Sequence, residues 1–171
     1  MERRQPDVDG DERTMLEQYM DLHRATILWK AEGLTDEQLA MTTAASDLTL
    51  AGLLKHLALV EDHWFSHMLL GVDPEPLWRD VDWESDPDWE FRTARGEPAT
   101  ELATRYREAC QASRAAVASV ESLDAMSVRT STRTGKPYTL RWIMLHMIAE
   151  TARHNGHADL LREAIDGAKG E

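Results

Sequence analysis

One cysteine, Cys110, is all that 171 residues provide, which rules out a disulfide within the chain. Long apolar runs are missing too. Nothing approaches the length a helix needs to cross a bilayer, and no basic-then-apolar segment opens the sequence as a secretion signal would. Cationic side chains are outnumbered, 19 Lys and Arg against 31 Asp and Glu, for a formal charge of −12. So acidic a surface repels phosphate backbones and anionic lipid, and neither nucleic acid nor a membrane is expected as a partner. There is no series of strand-like segments. The expectation is a cytoplasmic chain forming one domain over residues 1–171, large enough for a hydrophobic core, with residues 1–10 as a loose polar lead-in.

What the sequence does have is helical periodicity, clearest over residues 139–167, TLRWIMLHMIAETARHNGHADLLREAIDG. Thr139 is placed to cap one long helix, and Gly167 after Asp166 to end it in a left-handed residue. At about 100° per residue, Ile143, Met147, Ala158, Leu161 and Ile165 fall on one face, which such a helix buries. Glu150 and His154 project from that same face. A carboxylate and an imidazole in an apolar stripe are costly unless something pairs with them. A metal ion is one such partner and a hydrogen-bonded network the other; spacing alone leaves both open.

Three more helices precede it. The first spans residues 11 to about 31 through Met15, Tyr19, Leu22, Ile27 and Trp29, with Gly33 as its stop. Residues 34–48 connect, with 35–38 suited to a short helical turn. Thr49 opens the second helix, which closes near Gly71. Its wide apolar arc takes in Leu50, Leu53, Leu54, Leu57, Val60, Trp64 and Met68, and Lys55, Asp62 and Ser66 mark its narrow polar side. Residues 72–97 break the pattern with three prolines and with Trp78, Trp83 and Trp89. Too apolar for a free linker, this crossover is expected to pack on the bundle with its acids in solvent, as a plain cover or as a wall over a site. Pro98 starts a third helix running to about Ser122 through Leu102, Tyr106, Ala109, Cys110, Val117 and Val120. A short hairpin or polar connector, SVRTSTRTGKPYT, leads to the last helix. Four amphipathic helices around one core predict an all-α bundle.

Six of the seven histidines fall on the second and last helices. On an unbroken helix His56, His63 and His67 share one stripe; His146, His154 and His157 flank Glu150 on the other. Histidines four apart can hold a divalent metal, and bundles build such sites from facing helices. The protease pattern H-E-x-x-H is absent. His63 and His67 are equally suited to meeting solvent, His23 has no partner nearby and is expected at the surface, and Cys110 suits a small buried apolar role. Arg141 and Arg153 border the last stripe, to hold an anionic substrate group or to stay solvated. TLAGLLKHLA and TLRWIMLHMI also share a Thr-Leu start and a histidine seven residues on.

HMIAETARHNGHADLLREAIDG, with LLKHLALVEDHWF upstream, resembles the DinB-like superfamily of four-helix bundles. Within it the chain is most similar to the mini-circle type, related to the N-terminal domain of mycothiol-dependent maleylpyruvate isomerase. The likeness spans nearly the whole chain and implies a DinB-like four-helix bundle with a long crossover between helices two and three. It also implies a divalent metal between the second and fourth helices, with His56, in its L-x-H-L context, as one ligand and Glu150 and His154 as the others. Glutamate stands where most relatives have histidine, as in the isomerase-like branch. His157, where many relatives have glutamine, and His146, one turn before Glu150, would be an extra ligand or supporting groups. Two imidazoles and a carboxylate make a zinc-type set with an open position, with nickel as the alternative metal. The resemblance supplies a low-molecular-weight thiol such as mycothiol or bacillithiol as cosubstrate and an electrophilic small molecule as substrate, hence a metal-dependent transferase or isomerase. A non-catalytic, stress-associated metal- or small-molecule-binding protein and a metal-assisted hydrolase use the same ligands. The apolar surface leaves room for a homodimer without compelling one.

Overall fold

The computed structural model describes residues 3–43 and 46–170; residues 1–2 of the lead-in, 44–45 of the first connection and Glu171 lie outside them. In chain order the elements are helices α1 (Glu12–Ala31), α2 (Asp36–Leu39), α3 (Leu50–Glu61), α4 (Pro76–Arg79), α5 (Trp89–Ala94) and α6 (Ala99–Ala118), strands β1 (Met126–Thr130) and β2 (Pro137–Thr139), and helix α7 (Leu140–Asp166). Beyond Glu61, α3 runs on as π-helix over Asp62–Leu69. The strands pair antiparallel, so the connector before α7 is a hairpin.

The helices start where the sequence supplies a side-chain acceptor. Asp11, Thr35, Thr49 and Thr139 each accept the backbone N–H three residues on, satisfying donors that a helix start leaves unpaired. Thr35 and Gln38 complete a reciprocal capping box. Gly167, at φ 77°, ends α7 in the left-handed conformation that only glycine adopts without strain. The echo between TLAGLLKHLA and TLRWIMLHMI is thus an echo of capping.

Two apolar layers set the direction of each long helix. One holds Ile27, Leu53, Leu54, Leu57, Tyr106, Cys110, Ala158 and Leu161, and the other Leu16, Met20, Phe65, Leu69, Val117, Ile143 and Met147. Each leucine so buried contributes roughly 1.5–3 kcal/mol. Along α1 and α7 the chain passes from the second layer to the first; along α3 and α6 it passes from the first to the second. Hence α1 lies parallel to α7 and α3 parallel to α6. A tight turn cannot join α3 to a parallel α6, so the chain must return along the bundle, and the crossover carrying α4 and α5 is that return.

Between the layers sits a polar one. Arg24 of α1, Glu61 of α3, Ser113 of α6, and Thr151 and His154 of α7 are all buried. Arg24 donates from Nε and Nη2 to the two Glu61 oxygens at 2.7 and 2.6 Å.

Several expectations need correction. The buried face of α1 is Leu16, Met20, Ile27 and Leu28, while Tyr19 and Trp29 are exposed, because the core-facing stripe also contains Arg24 and Lys30. Lys55 and Asp62 are buried rather than solvated. α6 ends at Ala118, short of Ser122. The lead-in is not loose over its described part: Asp7 and Gln18 exchange two hydrogen bonds of 2.7 Å. His23 does have a partner, since Asn155 Nδ2 donates to its carbonyl at 3.1 Å and lies 3.4 Å from its Nδ1.

Candidate metal centre

α3 and α7 bring His56, Glu150 and His154 together. One ligand atom from each lies within 4.8 Å of the others, and among the described residues no second such group of three forms. Glu150 Oε1 is the hub, 3.4 Å from His56 Nε2 and 3.1 Å from His154 Nε2. Bonds of about 2.0–2.2 Å to one tetrahedral ion separate ligand atoms by roughly 3.3 Å, so these side chains need little movement to share one. The two rings meet edge to face at 4.9 Å.

The protonation states suit ligation. Burial raises the Glu150 carboxyl, but the charge of His154 and hydrogen bonds from both imidazoles outweigh it and hold Glu150 below the usual carboxylate range. Burial, then the nearby His56, push His154 below its ordinary value, so its ring is neutral at pH 7. A divalent ion needs an ionised carboxylate and neutral imidazoles, and that is what stands here.

His157 supports rather than joins the set: its Nδ1 lies 3.3 Å from His154 Nδ1, on the side of the ring facing away from Glu150. His146 turns elsewhere, stacking on Trp142 at 5.0 Å and meeting Trp64 edge-on at 4.7 Å. His63 and His67 neighbour each other on the π-helical segment, outside the group. Arg153 stands at the rim, Nη1 3.9 Å from Glu150 Oε2, whereas Arg141 is held by Glu12 and Asp124 at the start of α7. The widest groove, about 610 Å³ between α1 and α6 around Trp29, Leu39 and Ala103, includes none of the three residues. Donor geometry, not concavity, marks the site.

Sequence reasoning missed Glu90. It belongs to the crossover, whose acids were expected in solvent, yet it is only 4 % exposed, and His56 Nδ1 donates to its Oε1 at 2.9 Å. Its neighbour Phe91 stacks on the His56 ring at 4.8 Å. The available signal was local: Glu90 sits between two aromatic residues, Trp89 and Phe91, in a segment already judged too apolar for solvent.

Cys110 is fully buried beside Glu61, and desolvation first, then the Glu61 charge, push its thiol up to about 12. Relative to a thiol of pKa 9.0 its thiolate is rarer by about 1,000-fold at neutral pH, so it is no nucleophile. Iodoacetamide should therefore label the native protein at least about 1,000-fold more slowly than the unfolded chain, as intact-mass spectrometry would show.

A metal-ligand triad between two helices of an all-α bundle with a long crossover defines a DinB-like protein. The mycothiol S-transferase family model matches residues 15–167, and the chain belongs to that family. The chain is also similar in structure to a conserved protein from Enterococcus faecalis. That likeness has a TM-score of 0.71 at 15% identity and covers 94% of this chain and 100% of that one, which at such identity bears on the fold alone. No curated protein sequence matches the chain.

Proposed function

We propose that this protein, acting as one DinB-like domain, is a zinc-dependent transferase that joins mycothiol or a similar small thiol to an electrophilic small molecule. The observation that supports this most is the convergence of His56, Glu150 and His154 from two helices, in a chain of the mycothiol S-transferase family. These three would hold the ion, leaving a fourth position open as in catalytic rather than structural zinc sites. A divalent ion bound there lowers the pKa of a thiol that reaches it, giving a nucleophile at neutral pH. The chain's own residues do the rest. His157 steadies His154 from behind, Phe91 covers one face of His56, and Arg153, exposed at the rim, offers a cation to an anionic group on the thiol or the electrophile.

The test is metal analysis of protein grown with zinc and nickel, followed by conjugation assays with mycothiol and other small thiols against a panel of electrophiles. About one ion per chain and thiol-dependent conjugation that a chelator abolishes are expected. No stoichiometric metal overturns the reading. Product without any thiol would indicate a metal-assisted hydrolase, and a loaded but inert protein a binding role.

A further inference from the structure

A histidine can offer an ion only one unprotonated nitrogen, and which one is set by what holds the other. His56 lies between two carboxylates. Its Nδ1 is 2.9 Å from Glu90 Oε1, and its Nε2 is 3.4 Å from Glu150 Oε1. The shorter contact is on the crossover side, and it is the more buried one, Glu90 being 4 % exposed. Glu90 Oε2 is also buried and has no hydrogen-bond partner. No other side chain competes with His56 for this carboxylate, whose charge is therefore directed at a single N–H.

The backbone that delivers Glu90 is anchored on the same side of α3. At Gly52, four residues before His56, a Cβ would stand 2.9 Å from Phe91 Cδ1, so only glycine lets α5 approach this closely. Lys55 reaches across to α5, donating to Thr93 Oγ1 at 2.6 Å and to Glu97, with its ammonium 4.0 Å from the Trp89 ring centroid. Positions 52, 55 and 56 are neighbours on one helical face, and α5 is fastened to all three.

We propose that Glu90 is a positioning residue: it retains the Nδ1 proton of His56 and so presents a bare Nε2 to the space shared with Glu150 and His154. This rests on the metal reading above, in which Nε2 is the ligand atom. Carboxylates behind ligating histidines raise the basicity of the ring, and their loss typically costs 10- to 100-fold in metal affinity.

The experiment compares wild type with Glu90→Gln, Glu90→Ala and Thr93→Ala. Glu90→Gln keeps the shape and an acceptor but loses the charge; Thr93→Ala loosens α5 without touching His56. Zinc affinity is read by chelator competition, and the His56 tautomer by 15N NMR on metal-free protein at alkaline pH, where imidazoles are neutral. The wild-type ring is expected to hold its proton on Nδ1, and Glu90→Ala to move it to Nε2, toward Glu150. Zinc affinity should fall about 10- to 100-fold in Glu90→Ala, by a smaller factor in Glu90→Gln, and not at all in Thr93→Ala. Unchanged affinity in Glu90→Ala, or a wild-type proton on Nε2, overturns the assignment. A wild type that takes up no zinc yet keeps its proton on Nδ1 would sink the metal reading and leave the positioning of the ring intact.

Discussion

His154→Ala is expected to lower zinc affinity by more than about 100-fold, beyond what outer groups typically cost, and to reduce thiol conjugation to background. Its Nε2 is the atom nearest the hub oxygen of Glu150, at 3.1 Å, and no neighbouring imidazole can take its place, since His157 lies behind the ring. His56→Ala and Glu150→Ala should match it, because each removes one of only three donors. His63→Ala should leave zinc content unchanged. Equilibrium dialysis followed by metal analysis checks all four, and a His154→Ala protein that still holds a full complement of zinc contradicts the ligand assignment. Acid acts in the same direction as the mutation. His154 in the folded chain resists protonation more than a free imidazole, so its contribution to stability is complete above pH 6.5 and is lost as the pH falls through its lower folded value. Metal-free protein should accordingly melt at a lower temperature below pH 6.5 than at neutrality.

The second large effect concerns stability. Glu61→Ala should destabilise the protein by about 3–5 kcal/mol, because it strands the Arg24 guanidinium, whose side chain is only 3% exposed, in the centre of the bundle. Desolvation alone would favour an uncharged Arg24; the charge and hydrogen bonds of Glu61 overcome it and raise its pKa further. Breaking the pair is costly, but the pair itself need not be strongly stabilising. Replacing both partners, Arg24→Met with Glu61→Leu, should recover most of the loss, since apolar substitutes for a buried ion pair are often neutral or better. Urea unfolding of the single and double variants measures the coupling. A Glu61→Ala variant within about 1 kcal/mol of wild type would show the guanidinium finding another partner or water.

The helices and the three converging donors were legible because each rests on a local rule. Thr49 and Thr139 are caps by chemistry, Gly167 is a left-handed stop, and Glu150 and His154 recur one turn apart on an apolar stripe. What escaped was everything that depends on partners distant in sequence. Lys55 and Glu90 read as solvent-facing charges because charged residues usually are, and only the folded chain sets Lys55 against Thr93 and Glu97, and Glu90 against His56. The face of α1 was misjudged for the same reason: Arg24 looks like an outward residue until Glu61, 37 positions later, is opposite it. His63 was placed on the stripe of His56 by counting at the α-helical period, which does not hold beyond Glu61.

That change of period divides the second long helix into two readings of the same rod. Up to Glu61 the residues keep step with the ion-binding side, and from Asp62 onward they are counted from a new origin, one that turns Phe65 and Leu69 inward. Deleting a single residue between 62 and 69 would return the rod to one count and swing whatever follows by about 100°, exposing apolar rings that now lie inside. The two halves can therefore drift independently. Substitutions below the junction answer only to packing, while those above it must keep His56 aimed.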